Sequence, residues 1–138
     1  MKKKTTLSAA KKKAVTWFSR YFRLKNSNEQ GFCECYTCGK VMFYKEAQCG
    51  HLLDGRYNSI LFREDVQRVQ CCGCNMFKAG LKEVYIPKFI DEMGREKYDE
   101  LVRVKNDTVK FGKVELEVMM KNFKDKARLL AEKKGLEI

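Results

Sequence analysis

Apolar residues at Leu7, Ala10, Ala14, Trp17, Tyr21 and Leu24 recur at intervals of three and four, the spacing of one face of an amphipathic helix running to about Lys25. The opposite face carries Lys12, Lys13, Arg20 and Arg23. The segment Asn26-Ser27-Asn28-Glu29-Gln30-Gly31 has turn-forming composition and closes that helix, so the chain continues on a fresh element. Residues 32–81 show no sustained helical period. Short apolar stretches alternate there with glycine and cysteine, the pattern expected of a metal-organised hairpin. Helical spacing returns from Pro87, with the proline in the first turn, Phe89, Ile90 and Met93 apolar, and Gly94 as a stop. A second short helix carries Tyr98, Leu101 and Val102. After the polar break Lys105-Asn106-Asp107-Thr108, the positions Leu116, Met119, Phe123, Ala127 and Leu130 predict a last helix ending near Gly135. Its apolar stripe is expected to pack on the N-terminal helix; a dimer interface is the competing use.

A chain of 138 residues suits one compact domain, here divided into a basic arm and helix (1–30), a cysteine-rich core (31–83) and a helical C-terminal region (84–138). Charge changes the picture. With 29 Lys+Arg against 18 Asp+Glu the formal charge is +11, a field that attracts polyanions and makes nucleic acid the first partner to expect. Charge alone does not separate DNA from RNA. No apolar run approaches the ~20 residues that cross a bilayer, and Lys11, Lys12 and Lys13 interrupt any apolar stretch of a secretory signal. A cytoplasmic, reducing location is expected. All seven cysteines lie between Cys33 and Cys74, and an odd number in such a chain argues against a disulfide framework and for metal ligation.

Two C-x-x-C pairs stand out, Cys35-Tyr36-Thr37-Cys38 and Cys71-Cys72-Gly73-Cys74. Each such knuckle curls the backbone so that two thiolates converge, and two knuckles complete the four-sulfur shell of structural Zn2+. Gly39 and Gly73 ease those turns. Replacing Cys35 by Cys33, or bringing in Cys72, gives one-residue spacings that fit a knuckle poorly. A redox C-x-x-C would need a single pair in a βαβ setting, which the pattern lacks. Cys33, Cys49 and Cys72 are then left as free thiols behaving as small hydrophobes.

Between the knuckles lies the single histidine, His51, and directly after the second comes Asn75. If both knuckles grip one zinc, the insert is clamped at both ends, and His51 on its hairpin can face Asn75 at the start of the following helix. Phosphodiester hydrolysis needs a base and a metal to neutralise developing charge. His51 supplies the base, and an amide oxygen from Asn75 suits a hard cation such as Mg2+. The competing uses are a structural or zinc-bound His51 and a helix-capping Asn75. Four cysteines already fill the zinc shell, and capping is compatible with metal contact.

The string Cys35-x-x-Cys38-Gly39, Gly50-His51, Phe62-Arg63-Glu64, Gln70-Cys71-x-x-Cys74-Asn75 and Lys78-Ala79-Gly80 resembles the phage recombination family NinG, also called Rap. The resemblance extends to the Trp17-Phe18 helix, the Tyr85 to Leu101 segment with Met93-Gly94-Arg95-Glu96, and the final charged helix, covering roughly residues 7 to 134. A cysteine-containing N-terminal extension of some members is not expected here. The knuckle–His–knuckle–Asn order is also similar to the phage recombination endonuclease that resolves packaged DNA. The resemblance implies an α+β fold with a zinc-stabilised ββα-metal core of the HNH, or His-Me finger, type. It implies a hydrolase, a structure-specific endonuclease for branched intermediates such as Holliday junctions and D-loops, in which His51 is the general base, Asn75 a ligand of catalytic Mg2+ or Mn2+, and Cys35, Cys38, Cys71 and Cys74 the zinc shell.

Two positions depart from the wider HNH pattern. Gly50 stands where an acidic metal ligand often precedes the histidine, which turns attention to Asp54 or Asp65. Val66 falls at the middle asparagine and cannot orient an imidazole, so Asn58 is the substitute candidate, with Arg56 as a further phosphate or histidine contact. Lys2, Lys3, Lys4, Lys11, Lys12, Lys13, Arg20, Arg56, Arg63, Arg68, Lys78 and Lys82 are candidates for sequence-independent phosphate contact. Near-twofold junction symmetry favours a homodimer. Competing functions are a zinc-stabilised nucleic-acid-binding protein without catalysis, which Gly50 and Val66 favour, and a sequence-specific HNH enzyme.

Overall fold

The computed structural model describes residues 4–138. Helix α1 spans Leu7–Lys25, opened by Thr6, whose hydroxyl accepts from the Ala9 amide at 3.1 Å. Of the predicted stripe Ala10, Ala14, Tyr21 and Leu24 are buried, whereas Leu7 is exposed and Trp17 only half-buried, its place in the core taken by Phe18. What covers the stripe is the last helix, α5 (Lys113–Lys134). Ala10 and Ala14 let Leu116 approach closely, and further along Phe123 sets its ring 5.1 Å from Phe18 and 5.9 Å from Tyr21. Aromatic pairs of this kind contribute about 0.5–1.5 kcal/mol each beyond the area they bury. The two helices are also tied at their ends, because Lys134 Nζ donates to the Leu24 and Ser27 carbonyls at 2.7 and 2.8 Å.

Between these helices the chain is a mixture of small antiparallel sheets and short helices, an α+β arrangement. Strands β1 (Phe32–Glu34) and β2 (Val41–Phe43) form one antiparallel pair. Strands β3 (Gln48–His51) and β4 (Gln67–Gln70) form a second, with Gln48 opposite Gln70 and His51 opposite Gln67. Helix α2 (Asn58–Leu61) and a 3-10 turn at Glu64–Val66 lie in the connection. The segment read as one hairpin is therefore two antiparallel pairs, the second with helical turns inside its connection. Helices α3 (Lys82–Met93) and α4 (Arg95–Lys105) precede α5.

Helix α3 starts five residues before Pro87, so the proline sits inside it rather than in its first turn. The earlier start is set by tertiary contact. Tyr85 and Phe89, four apart, are both fully buried, and their burial outweighs the backbone hydrogen bond that a proline forgoes. The start itself is marked by Ala79, Gly80 and Leu81 with φ of 48°, 85° and 47°, a left-handed turn that sequence spacing does not reveal.

Two apolar clusters meet at the β3–β4 hairpin. Val69 and Cys71 join Phe18, Phe22, Leu24 and Tyr44 in one. Leu52 and Val66 join Ile60, Tyr85, Phe89 and Leu101 in the other. Fully burying a side chain of this size is worth about 1.5–3 kcal/mol, so the hairpin is pinned from both sides. Among the described residues no helix is long and apolar enough to cross a membrane.

Candidate active site and metal centre

The first knuckle follows β1. Cys35 N donates to the Lys40 carbonyl at 2.8 Å and Gly39 N to the Cys35 carbonyl at 2.9 Å, a turn that Gly39 closes at φ 79°. The second knuckle follows β4, where the Cys74 amide points at Cys71 Sγ, 3.4 Å away. A bond from Tyr36 N to the Val69 carbonyl at 2.9 Å draws the two knuckles together. As a result the sulfurs of Cys35, Cys38, Cys71 and Cys74 all lie within 4.8 Å of one another, with Cys38 and Cys71 at 3.7 Å. A tetrahedral zinc with bonds of ~2.3 Å has sulfur–sulfur edges of about 3.8 Å, so the quartet fits that ion. The other cysteines stand apart, Cys33 on the Met42 carbonyl, Cys49 on Ser19 and Cys72 on Met76.

Electrostatics agree with a site built for a cation. Burial opposes the Cys35 thiolate, yet the Thr37 hydroxyl and the backbone around Cys71, Cys38 and Thr37 bring it down to about 6. Burial, reinforced by the neighbouring thiols, pushes Cys74 up to about 12. Four crowded sulfurs cannot all ionise unaided, and a dication is what allows it.

His51 ends β3. Its backbone and that of Gly50 are held by α3, since Tyr85 Oη donates to the Gly50 carbonyl at 2.8 Å and Lys82 Nζ donates to the His51 carbonyl. The ring is half-buried, and burial, then Arg56 and Lys82, hold its pKa below the usual histidine value. It is therefore a neutral proton acceptor at pH 7. Asn75 is not at the start of an α-helix, as its neighbours suggested, but within a π-helical turn, Gly73–Phe77, seven residues before α3. The turn is anchored by the knuckle, with Asn75 N donating to the Cys71 carbonyl at 2.9 Å. Asn75 Nδ2 donates to Gln48 Oε1 at 2.8 Å, which leaves the amide oxygen as the free donor atom of that side chain.

His51 and Asn75 line two adjoining cavities. One, of about 310 Å³, also takes in Gln48, Arg23 and Arg56. The other, of about 290 Å³, takes in Asp54, Arg56 and Lys82. Asp54 is thus the carboxylate that shares the cavity with His51, its side chain 88 % exposed and 3.7 Å from Lys82 Nζ. Asp65 is engaged elsewhere, bonded to Arg63 at 2.7 Å and Lys97 at 3.1 Å, and these cations hold its carboxyl down to about 2 against partial burial. Gly50 has no space for an acid, since a Cβ there would run into the carboxamide of the fully buried Gln70. Gln70 in turn bonds Thr37 of the first knuckle at 3.0 Å and the Gly80 carbonyl at 2.9 Å. Asn58 lies outside both cavities, donating to the Val109 carbonyl at 2.9 Å, and Val66 is core.

A third groove, of about 510 Å³, runs from the first turns of α1 to the same place, lined by Lys11, Lys12, Thr16, Ser19, Arg23 and Arg56 among others. Arg23 and Arg56 belong to this groove and to the His51–Asn75 cavity alike. The remaining cations are distributed differently. Lys4, Lys13 and Lys78 are exposed outside the three cavities, and Arg20 stacks 4.7 Å from the Trp17 ring. Arg63 is bound to Asp65, and Arg68 lies 5.0 Å from the Phe89 ring with a bond to the Gln67 carbonyl. Lys2 and Lys3 lie outside the described residues. Gln48, which positions Asn75, and Tyr85, which fixes the Gly50 carbonyl, carry no motif that singles them out; only the β3–β4 register and the helix packing bring them in.

No curated protein and no solved structure matches the chain. One family model does, described as bacteriophage lambda NinG protein, over residues 1–134. With nearly its whole length matched, and its four paired cysteines gathered into one cluster able to hold zinc, the chain belongs to the NinG family of bacteriophage proteins.

Proposed function

We propose that this protein is a metal-dependent endodeoxyribonuclease acting on branched recombination intermediates, Holliday junctions and D-loops among them. The observation that carries the reading is the meeting of His51 and Asn75 on shared cavities at the inner end of a groove lined by Lys11, Lys12 and Arg56. The zinc quartet serves as scaffold, clamping β3–β4 and the Asn75 turn as the ββα-metal core of an HNH nuclease. Asn75 and Asp54, both oxygen donors, would hold Mg2+ or Mn2+, which when bound neutralises charge developing on the phosphate. His51, neutral at pH 7, accepts a proton from the attacking water, whose oxygen forms the new bond to phosphorus as the bridging oxygen leaves. Lysines along α1 supply contacts to the DNA backbone that carry no sequence information. The twofold substrate is matched by a homodimer in the host cytoplasm.

The test is cleavage of a labelled four-way junction beside linear duplex, D-loop and single-stranded controls, with and without Mg2+. Wild type is expected to cut the branched substrates only with divalent metal, and His51→Ala to lose cleavage by at least 100-fold, on the order expected for a general base, while still binding. Cutting by His51→Ala at the wild-type rate would sink the reading. A second reading, a zinc-stabilised DNA-binding protein without catalysis, is favoured by Gly50 and by the pairing of Asp54 with Lys82. It requires junction binding with no cleavage in either form.

A further inference from the structure

Two side chains of the first turn of α3 bond consecutive carbonyls of the histidine strand, Tyr85 to Gly50 and Lys82 to His51. Tyr85 is fully buried in the core and does not reach the cavity. Lys82 differs: its side chain is 22 % exposed and opens onto the cavity shared by His51, Asn75, Asp54 and Arg56. An ammonium has three donors. One is used on the His51 carbonyl, and the nearest carboxylate, Asp54, stands 3.7 Å away with its own side chain almost wholly in water. A carboxylate so fully solvated, at that distance, holds the ammonium weakly and yields readily to a better anion. The position Gly50 adds to the case. Where an acidic side chain would make the wall negative, the Gln70 carboxamide fills the space, and the charged side chains on the Lys82 cavity are Lys82 and Arg56 against Asp54.

We propose that Lys82 is a catalytic phosphate-binding residue, whose ammonium exchanges Asp54 for the phosphodiester held between His51 and Asn75. The identity of the anion rests on the endonuclease reading. The exchange leaves the His51 carbonyl bond in place and frees the Asp54 carboxylate, which would then be available to a dication. One residue thus positions the base through its backbone and meets the substrate through its charge.

The two roles are separable by Lys82→Gln, which keeps a donor for the His51 carbonyl and removes the charge, with Lys82→Met as a second variant and Lys82→Arg as the charged control. Binding of a fluorescein-labelled four-way junction is titrated at several NaCl concentrations in the zinc-loaded His51→Ala background. Loss of one phosphate contact lowers the slope of log K against log salt by about 0.9. That drop is expected for the Gln and Met variants and not for Arg. Lys88→Met removes another lysine bonded to a backbone carbonyl, that of Tyr36 at 2.8 Å, outside the cavities, and is expected to leave the slope unchanged. With His51 intact, Lys82→Gln is expected to cut the junction on the order of 100-fold more slowly at saturation. An unchanged slope in both uncharged variants, or wild-type cleavage by Lys82→Gln, overturns the assignment. A wild type that binds junctions but never cuts them sinks the endonuclease reading instead, and the slope still decides whether Lys82 meets phosphate.

Discussion

Gly50 illustrates how a single missing side chain shapes the site. The carboxamide of Gln70 occupies the volume its Cβ would need, and that carboxamide also ties the first knuckle to the Gly80 carbonyl. Gly50→Ala is therefore expected to displace Gln70 and to cost about 1–3 kcal/mol of stability, the range for overpacking a filled interior. Thermal unfolding of the zinc-loaded protein checks this, and recovery in Gly50→Ala/Gln70→Ala would assign the loss to that collision. A melting temperature equal to wild type would contradict it. At this scale the sequence was readable for residue type and blind to register. It offers Asp54 ahead of Asp65 as the acidic ligand without a contact to support the choice, and the fold puts Asp54 on the histidine cavity and Asp65 on Arg63 and Lys97. Asn58, chosen because it follows the histidine, faces the Val109 carbonyl instead.

The elements that carry the site are short, and none would persist alone. Strands of three and four residues and a five-residue π-helical turn are held by the two knuckles and by packing on both faces of β3–β4. Four-sulfur zinc sites in peptides are worth about 10–16 kcal/mol of apparent binding free energy. Removing the metal with a strong chelator is therefore expected to release one zinc per chain and to melt the region from Phe32 to Leu81 while α1 and α5 retain helix. Loss of near-ultraviolet circular dichroism with a far-ultraviolet helical signal largely kept is the expected pattern. Full retention of both would show that the cysteines do not hold the core. The quartet was legible because a knuckle is local, two thiols three residues apart. The start of α3 was not, because two of its three left-handed residues, Ala79 and Leu81, are types that seldom adopt that backbone.

For the molecule as a whole, the long helices were the most legible part, since their stripes are long and regular, and α5 covers α1 as the pattern implied. The groove was less so. Charge pattern marked the lysines, but Arg63 and Arg68 turned out to be held by Asp65 and by an aromatic ring, while Arg23 lines the way from α1 to His51. Reversing two charges at its mouth, Lys11→Glu with Lys12→Glu, is expected to weaken junction and duplex binding alike. It should also lower the slope of log K against log salt by about 1.8, two contacts' worth. Weakening confined to one substrate would argue against a backbone-tracking groove.

The bonds from Lys134 to the Leu24 and Ser27 carbonyls join residues more than a hundred positions apart in sequence. Helix α1 is made well before α5, the partner that covers its apolar side, and a lone helix of 19 residues is marginal in water. During translation the cations of α1 are therefore present before there is a rigid wall to mount them on. The wall that carries Lys11 and Lys12 becomes rigid only once α5 has been made and docks.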